Sequence, residues 1–342
     1  MLRKYYGQRQ TRLLKCLTCG REFSETRGTP HWNSKLPLEK FVTVVEHIAE
    51  GHSPSSIVRT CKVHHDTIER IARVTSEHAS SIHDVLAQNL SVTAVQADER
   101  WGFAQTKKNQ LWESVTLDPS SKFVISLHLG SRTETVIRAL LEETVQRILN
   151  PQGIVLFTDG LSSYAQGFPK VFGIPFQTPK STHLGRPRVV QYRIPRDLAH
   201  VQIIKNREGR KLKTVEVRVA HGSQKRVNLE LLRLGYNIAN TSAIERQNGS
   251  ARESTMFMGR KGLSFARLDR SRVYAAEISR LGYNWVRLHR SLRVALVESK
   301  GRKKFEGRTP AMAIGITTRV WSWAELVVTP VWAMKAVRNH SN

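Results

Sequence analysis

Three acidic residues carry the chemistry that this chain's residue types and spacing support most directly. Asp98 stands in Val95-Gln96-Ala97-Asp98-Glu99-Arg100-Trp101, and Asp159 in Leu156-Phe157-Thr158-Asp159-Gly160. In both frames an acid follows directly on an apolar, strand-like run. A carboxylate placed there is costly unless it is paired or metal-bound. Phosphoryl transfer supplies a reason for it, because two divalent ions about 3.5–4 Å apart need carboxylates converging from different elements. Each aspartate taken alone is also an ordinary turn residue. A third frame tips the balance: Asn240-Thr241-Ser242-Ala243-Ile244-Glu245-Arg246 reads as a capped helix start with Glu245 in its first turn. Arg252 lies two turns further on, on nearly the same face. One helix can therefore offer a metal-binding acid beside guanidinium groups that grip a phosphate backbone.

The elements that must position these acids can be read from hydrophobic period. After Asn89 the period changes from 3.6 to 2, and residues 91–98 read as a strand ending on Asp98. Leu111 to Leu117 and Lys122 to Leu129 read as two more strands, joined by the turn Asp118-Pro119-Ser120-Ser121. Thr135 to Leu149 is an amphipathic helix, and Gly153 to Thr158 is a continuous apolar strand, hence central and buried. The plan is mixed α/β, with Asp98 and Asp159 at the ends of neighbouring strands.

Upstream, a helix from Pro37 carries Leu38, Phe41, Val42, Val45, Ile48 and Ala49 at helical spacing and stops at Gly51. Ser53-Pro54 starts a short second helix ending near Cys61. Asp66 is the expected cap of a third, with Ile68, Ile71 and Ala72 inward, continuing to about Gln88. Helix, short helix, tight turn, helix is the helix-turn-helix plan, and a plain three-helix packing unit has the same pattern. Its outward positions, His65, Thr67, Arg70 and Arg73, are the candidate DNA contacts. Tyr283, Trp285 and His289, and likewise Trp321 and Trp323, are expected to serve packing.

Composition narrows the function classes. The 342 residues hold 54 Lys+Arg against 28 Asp+Glu, a formal net charge of +26. Lys180 to Lys213 has ten basic residues against two acids, and Arg246 to Arg308 sixteen against five. Two such runs in a chain that is 40% apolar point to a folded protein in extended contact with a polyanion. No stretch has the clean apolar length of a membrane span, so a membrane partner is not expected. The first residues lack a signal-peptide core, and three cysteines cannot form a disulfide framework. A reducing, cytoplasmic location is the expectation.

Several separated stretches together carry a resemblance. They are Cys16-x-x-Cys19-Gly20-Arg21-x-Phe23-Ser24, Arg27-Gly28-Thr29-Pro30, Asp66-Thr67-Ile68-x-Arg70-Ile71, Asp98-Glu99-x-Trp101 and Thr158-Asp159-Gly160-x-x-x-Tyr164. Further on come Asn240-Thr241-x-x-Ile244-Glu245-Arg246-x-Asn248-Gly249, Tyr283-Asn284-Trp285-x-x-x-His289-x-Ser291-Leu292-Arg293 and Arg308-Thr309-Pro310-Ala311-Met312-Ala313. In order and number they resemble bacterial insertion-sequence transposases of the DDE class, similar to the insertion-sequence-one type, with a ribonuclease-H-like core.

The resemblance implies a DNA transposase. Asp98, Asp159 and Glu245 would hold two Mg²⁺ (or Mn²⁺) ions for strand cleavage and transfer. The partner would be double-stranded DNA, as transposon ends and target, gripped by a homo-oligomer. Arg252 matches the basic residue that follows the catalytic Glu, and Arg246, Arg260 and Lys261 extend that cationic face. The expected organisation is a partial zinc-ribbon-like segment (1–35), a helix-turn-helix module (36–88), a catalytic domain (89–300) and a C-terminal packing segment (301–342). A basic insertion at about 178–235 is expected to form a duplex-binding hairpin. Relatives open with two Cys-x-x-Cys knuckles, whereas only Cys16 and Cys19 are present here. A truncated start is the preferred explanation over substitution by His31, Cys61 is expected in the core, and strong zinc binding is not expected. The alternative from another class is a domesticated, non-cutting DNA-binding regulator; a third is a nuclease on the same fold.

Overall fold

The computed structural model describes residues 2–6, 11–176, 190–209, 211–258, 264–300 and 303–334. The chain divides into two compact units. One comprises Met1–Leu86, Glu253–Ser264 and Arg270–Asn342, and the other Ala87–Arg252 with Phe265–Asp269. The span 89–300, expected as one domain, is shared between them.

The first unit opens with strands β1 (Leu2–Tyr6), β2 (Thr11–Lys15) and β3 (Glu22–Ser24), an antiparallel sheet in that order. Helices α1 (Leu38–Ala49), α2 (Pro54–Cys61) and α3 (His65–Leu86) follow. Phe41, Val44, Val45, Ile48, Ile57, Ile68 and Ile71 form their buried faces, and Cys61 is buried with them. Ser53 caps α2 by accepting from the Ser56 N–H at 3.2 Å. Asp66 does not cap α3, contrary to expectation. The His64 carbonyl accepts from the Thr67 and Ile68 N–H groups, and His64 Nδ1 accepts from the Asp66 N–H at 3.3 Å, which leaves Asp66 in the first turn. Lys62, in the left-handed region at φ 52°, makes the tight link.

The second unit is a six-stranded mixed sheet flanked by helices. It contains β4 (Ala94–Arg100), β5 (Phe103–Ala104), β6 (Thr106–Gln110), β7 (Trp112–Leu117), β8 (Val124–Gly130), α4 (Glu134–Arg147), β9 (Val155–Thr158) and α5 (Ser162–Phe172). Then come β10 (Ile174–Phe176), β11 (Gln191–Arg193), β12 (Ala199–Glu208), β13 (Lys211–His221), α6 (Gln224–Leu234) and α7 (Ser242–Ser254). The sheet order is β13-β12-β9-β4-β7-β8, with β4, β9 and β12 mutually parallel and the other pairs antiparallel. Ala94, Val155, Phe157, Ala199, Val201 and Ile203 pack on one face against Val227 of α6. On the other face Phe168 of α5 stacks on His200, and Thr144 of α4 bonds Thr116 at 2.9 Å.

Two expectations need correction here. The strand expected over 91–98 runs from Ala94 to Arg100, so Asp98 lies within it. The strand can continue because Arg100 pairs with Glu113 at 2.7 Å, both almost fully buried. The basic stretch 178–235 is also no simple insertion. Ala199–Ile203 is a buried strand of the central sheet, and only its continuation with β13 is an exposed hairpin. Residues 178–189 and 210 of that stretch lie outside the described residues.

The chain then adds α8 (Asp269–Leu281), a π-helical turn over Gly282–Val286, β14 (His289–Lys300), β15 (Lys303–Arg308), α9 (Pro310–Ala313) and α10 (Trp323–Leu326). Tyr283, Trp285, Trp321 and Trp323 are buried, as their packing role requires, and His289 stands edge-on to Tyr283. Among the described residues no helix is long and apolar enough to cross a membrane.

Candidate metal centre

One face of β4 anchors the helix that carries Glu245. Alternate residues of a strand share a face, and here Gln96, Asp98 and Arg100 all reach α7 or the residues leading into it. Gln96 donates to the Asn240 carbonyl and accepts from the Ile244 N–H, both at 2.9 Å. Asn248 donates to Asp98 Oδ2 at 2.7 Å, and Arg100 donates to Gln247 at 3.0 Å. Asn240 caps the helix start by accepting from the Ser242 N–H and hydroxyl. A buried polar strand face thus selects one helix position, since each buried polar group must find its partner.

The register brings the two aspartates together. Ala94, Val95 and Gln96 pair with Val155, Leu156 and Phe157 in parallel, and continuing that register places Asp98 opposite Asp159. Oxygens of Asp98, Glu99 and Asp159 lie within 4.8 Å of one another. Asp159 is oriented by the Leu161 N–H, donating to Oδ1 at 2.9 Å. Glu245 accepts from Thr241 Oγ1 at 2.6 Å and from Lys205 Nζ. Asp98, Asp159 and Glu245 line a single cleft of about 510 Å³, together with Arg132, Lys205 and Arg207. The three acids expected from sequence therefore line one cleft, and the group with oxygens within 4.8 Å of one another comprises the two aspartates and Glu99, not Glu245.

Electrostatics in this cleft disfavour uncompensated negative charge. Burial, reinforced by Glu99, Asp159 and Glu245, raises Asp98 to about 7. Burial also raises Glu99, against the lowering influence of Tyr164 and Arg132. For Glu245 burial acts upward, but hydrogen bonds from Lys205 and Thr241 outweigh it and the carboxyl is lowered. Arg132 bridges two acids, donating to Glu99 at 2.8 Å and to Asp159 at 3.5 Å. Clustered carboxylates are hard oxygen donors that suit Mg²⁺ or Mn²⁺, so the residues present fit a divalent ion.

The remaining sequence candidates are more scattered. Arg252 falls in the last turn of α7, and Arg246 is exposed near its start. Arg260 and Lys261 lie outside the described residues. On α3, His65 is exposed, Thr67 is half-buried, Arg73 pairs with Glu77 at 2.9 Å and Arg70 reaches the Asn33 carbonyl at 3.3 Å. Cys16 and Cys19 sit on the turn between β2 and β3, where the Cys19 and Thr18 N–H groups lower the Cys16 thiol. Among the described residues no further Cys, His or acid joins them in a metal-sized group.

Glu99, Arg132, Lys205 and Asn248 were not singled out from sequence. The doublet Asp98-Glu99 is a visible signal for the first, and Asn248, one turn after Glu245, for the last. Arg132 and Lys205 carry no local signal, because their roles arise from strand and loop placement. No protein-family model and no curated protein matches the chain.

Proposed function

We propose that the chain is a DDE-type DNA transposase of an insertion sequence, which binds the element's ends and joins them to target DNA. The observation that carries this reading is the facing pair Asp98 and Asp159 on parallel strands, with Glu245 on a helix pinned to the same strand. The strand order β8-β7-β4-β9-β12, three antiparallel strands followed by two parallel ones, agrees with a ribonuclease-H-like core to which β13 is added. Helices α1 to α3 read as a helix-turn-helix and the β2–β3 turn as a remnant of a zinc ribbon.

In this reading Asp98, Asp159 and Glu245 hold two Mg²⁺ or Mn²⁺ ions, which supply Lewis acidity and an activated water when bound. The protein's own work is positioning and charge neutralisation. Lys205 and Arg207 rim the cleft where a phosphodiester would enter. Arg246 and Arg252, on the Glu245 helix, hold the flanking duplex in register, and a homo-oligomer brings two ends together.

The test uses duplexes carrying the inverted repeats that flank the gene, with Mg²⁺ or with chelator. Mg²⁺-dependent nicking at the repeat ends followed by joining to a second duplex is the expected result. Tight binding without any cleavage would replace the enzyme with a non-cutting regulator. Cleavage without joining would make it a nuclease.

A further inference from the structure

We infer that Glu99 is a fourth carboxylate of the metal centre, sharing one ion with Asp98 and Asp159, and that Arg132 is the cation that holds its place before metal arrives. This rests on the metal-dependent reading above and adds a ligand to it.

Consecutive strand residues point to opposite faces, so Asp98 and Glu99 would ordinarily diverge. Asp98 faces α7, whereas Glu99 meets Arg132, which precedes α4, and Tyr164 of α5. Two features make them converge. The Glu99 N–H donates to Asp98 Oδ1 at 2.9 Å, folding that carboxylate back along the backbone, and the longer Glu99 side chain reaches round the strand. Their oxygens then lie within 4.8 Å of each other and of Asp159.

Buried atoms left without partners point the same way. The Glu99 side chain is fully buried, with Oε2 held by Arg132 and Oε1 making no hydrogen bond. Tyr164 comes near enough to affect Glu99, but its hydroxyl does not reach hydrogen-bonding geometry. Asn248, 2% exposed and bonded to Asp98 through its amide nitrogen, leaves Oδ1 unpartnered. Buried acceptor oxygens without donors are costly, and Glu99 Oε1 and Asn248 Oδ1 are two such oxygens on residues of one acid cluster and its helix partner, the kind of group a bound cation satisfies. Arg132 balances part of the charge, bridging Glu99 and Asp159, yet it is about one-third exposed and can withdraw toward solvent.

Mn²⁺ alone is the probe, titrated into the full chain without DNA and followed by loss of the free-ion paramagnetic resonance signal. Glu99→Gln keeps the shape and a hydrogen-bond acceptor for Arg132, and its melting temperature reports whether it folds. It is expected to weaken Mn²⁺ binding about tenfold or more, since even residues behind a ligand cost about that much. Glu99→Asp, which shortens the reach, should weaken it similarly, and Arg132→Gln should tighten it a few-fold. Glu143→Gln, remote from the cleft, is the control for charge alone. Wild-type affinity in both Glu99 variants, with binding lost in Asp98→Asn, would overturn the assignment of Glu99 and leave the two-aspartate centre standing. No Mn²⁺ binding by the wild-type chain would overturn both.

Discussion

The acid cleft and the cysteine turn both bring candidate metal ligands together, but they draw on different numbers of elements. Cys16 and Cys19 share one turn between two adjacent strands. The acids come from β4, the end of β9 and the start of α7, separated by up to about 150 residues and held by buried side chains of β4. The acids meet because several elements are forced together by polar contacts they cannot satisfy elsewhere, whereas the turn presets two thiols through local chain path alone.

The largest expected effect is on chemistry. Glu245→Gln should lower Mg²⁺-dependent cleavage and joining by about a thousandfold or more while metal-free DNA binding persists in a gel-shift assay. Cleavage near the wild-type rate would remove Glu245 from the centre and leave it to two elements, β4 and the end of β9.

Next in size is a stability effect confined to the cleft. Folded Asp98 titrates near 7 against an ordinary value of 3.8. The folded state therefore holds its proton more tightly, and stability falls as pH rises from about 4 through 7. In chelator, Asp98→Asn should raise the melting temperature by about 5–10 °C at pH 8 and leave it unchanged at pH 3.5. An equal gain at both pH values would mean that the acid is not penalised by burial.

A smaller change is expected at the rim. Arg252→Ala should weaken duplex binding several-fold and reduce the salt-dependence slope by about 1. An unchanged slope would take Arg252 out of the DNA contact. The smallest effect belongs to the turn. Purified protein should retain less than one equivalent of zinc after dialysis against chelator, and Cys16→Ser should leave cleavage unchanged. Stoichiometric retained zinc would show that the turn has acquired ligands beyond Cys16 and Cys19.

The parts readable from sequence were those governed by local pattern. The apolar run before Asp159 and the capped start before Glu245 are contiguous signals, and both acids lie where those signals place them. For Asp98 the strand boundary was misplaced, because the Arg100–Glu113 pair that lets β4 continue joins two strands. The central strand Ala199–Ile203 was missed within a basic run, since Lys205 and Arg207 on its exposed continuation dominate the local charge. Arg132 and Lys205 could not be read at all. Their partners are decided by register and loop path, which no window of neighbouring residues contains.

That same strand has a consequence in time. From Ala199 to Ile203 β12 is sealed from water, with His200 to Gln202 paired on both sides, while from Lys205 to Glu208 it has β13 alone and exposed side chains. Backbone amides exchange with solvent at rates set by the cost of opening locally. Within one continuous strand, deuterium should enter the outer half in the early points of an exchange series and the inner half only with the slowest protons of the unit. Lys205, bonded to Glu245, stands where the two rates meet.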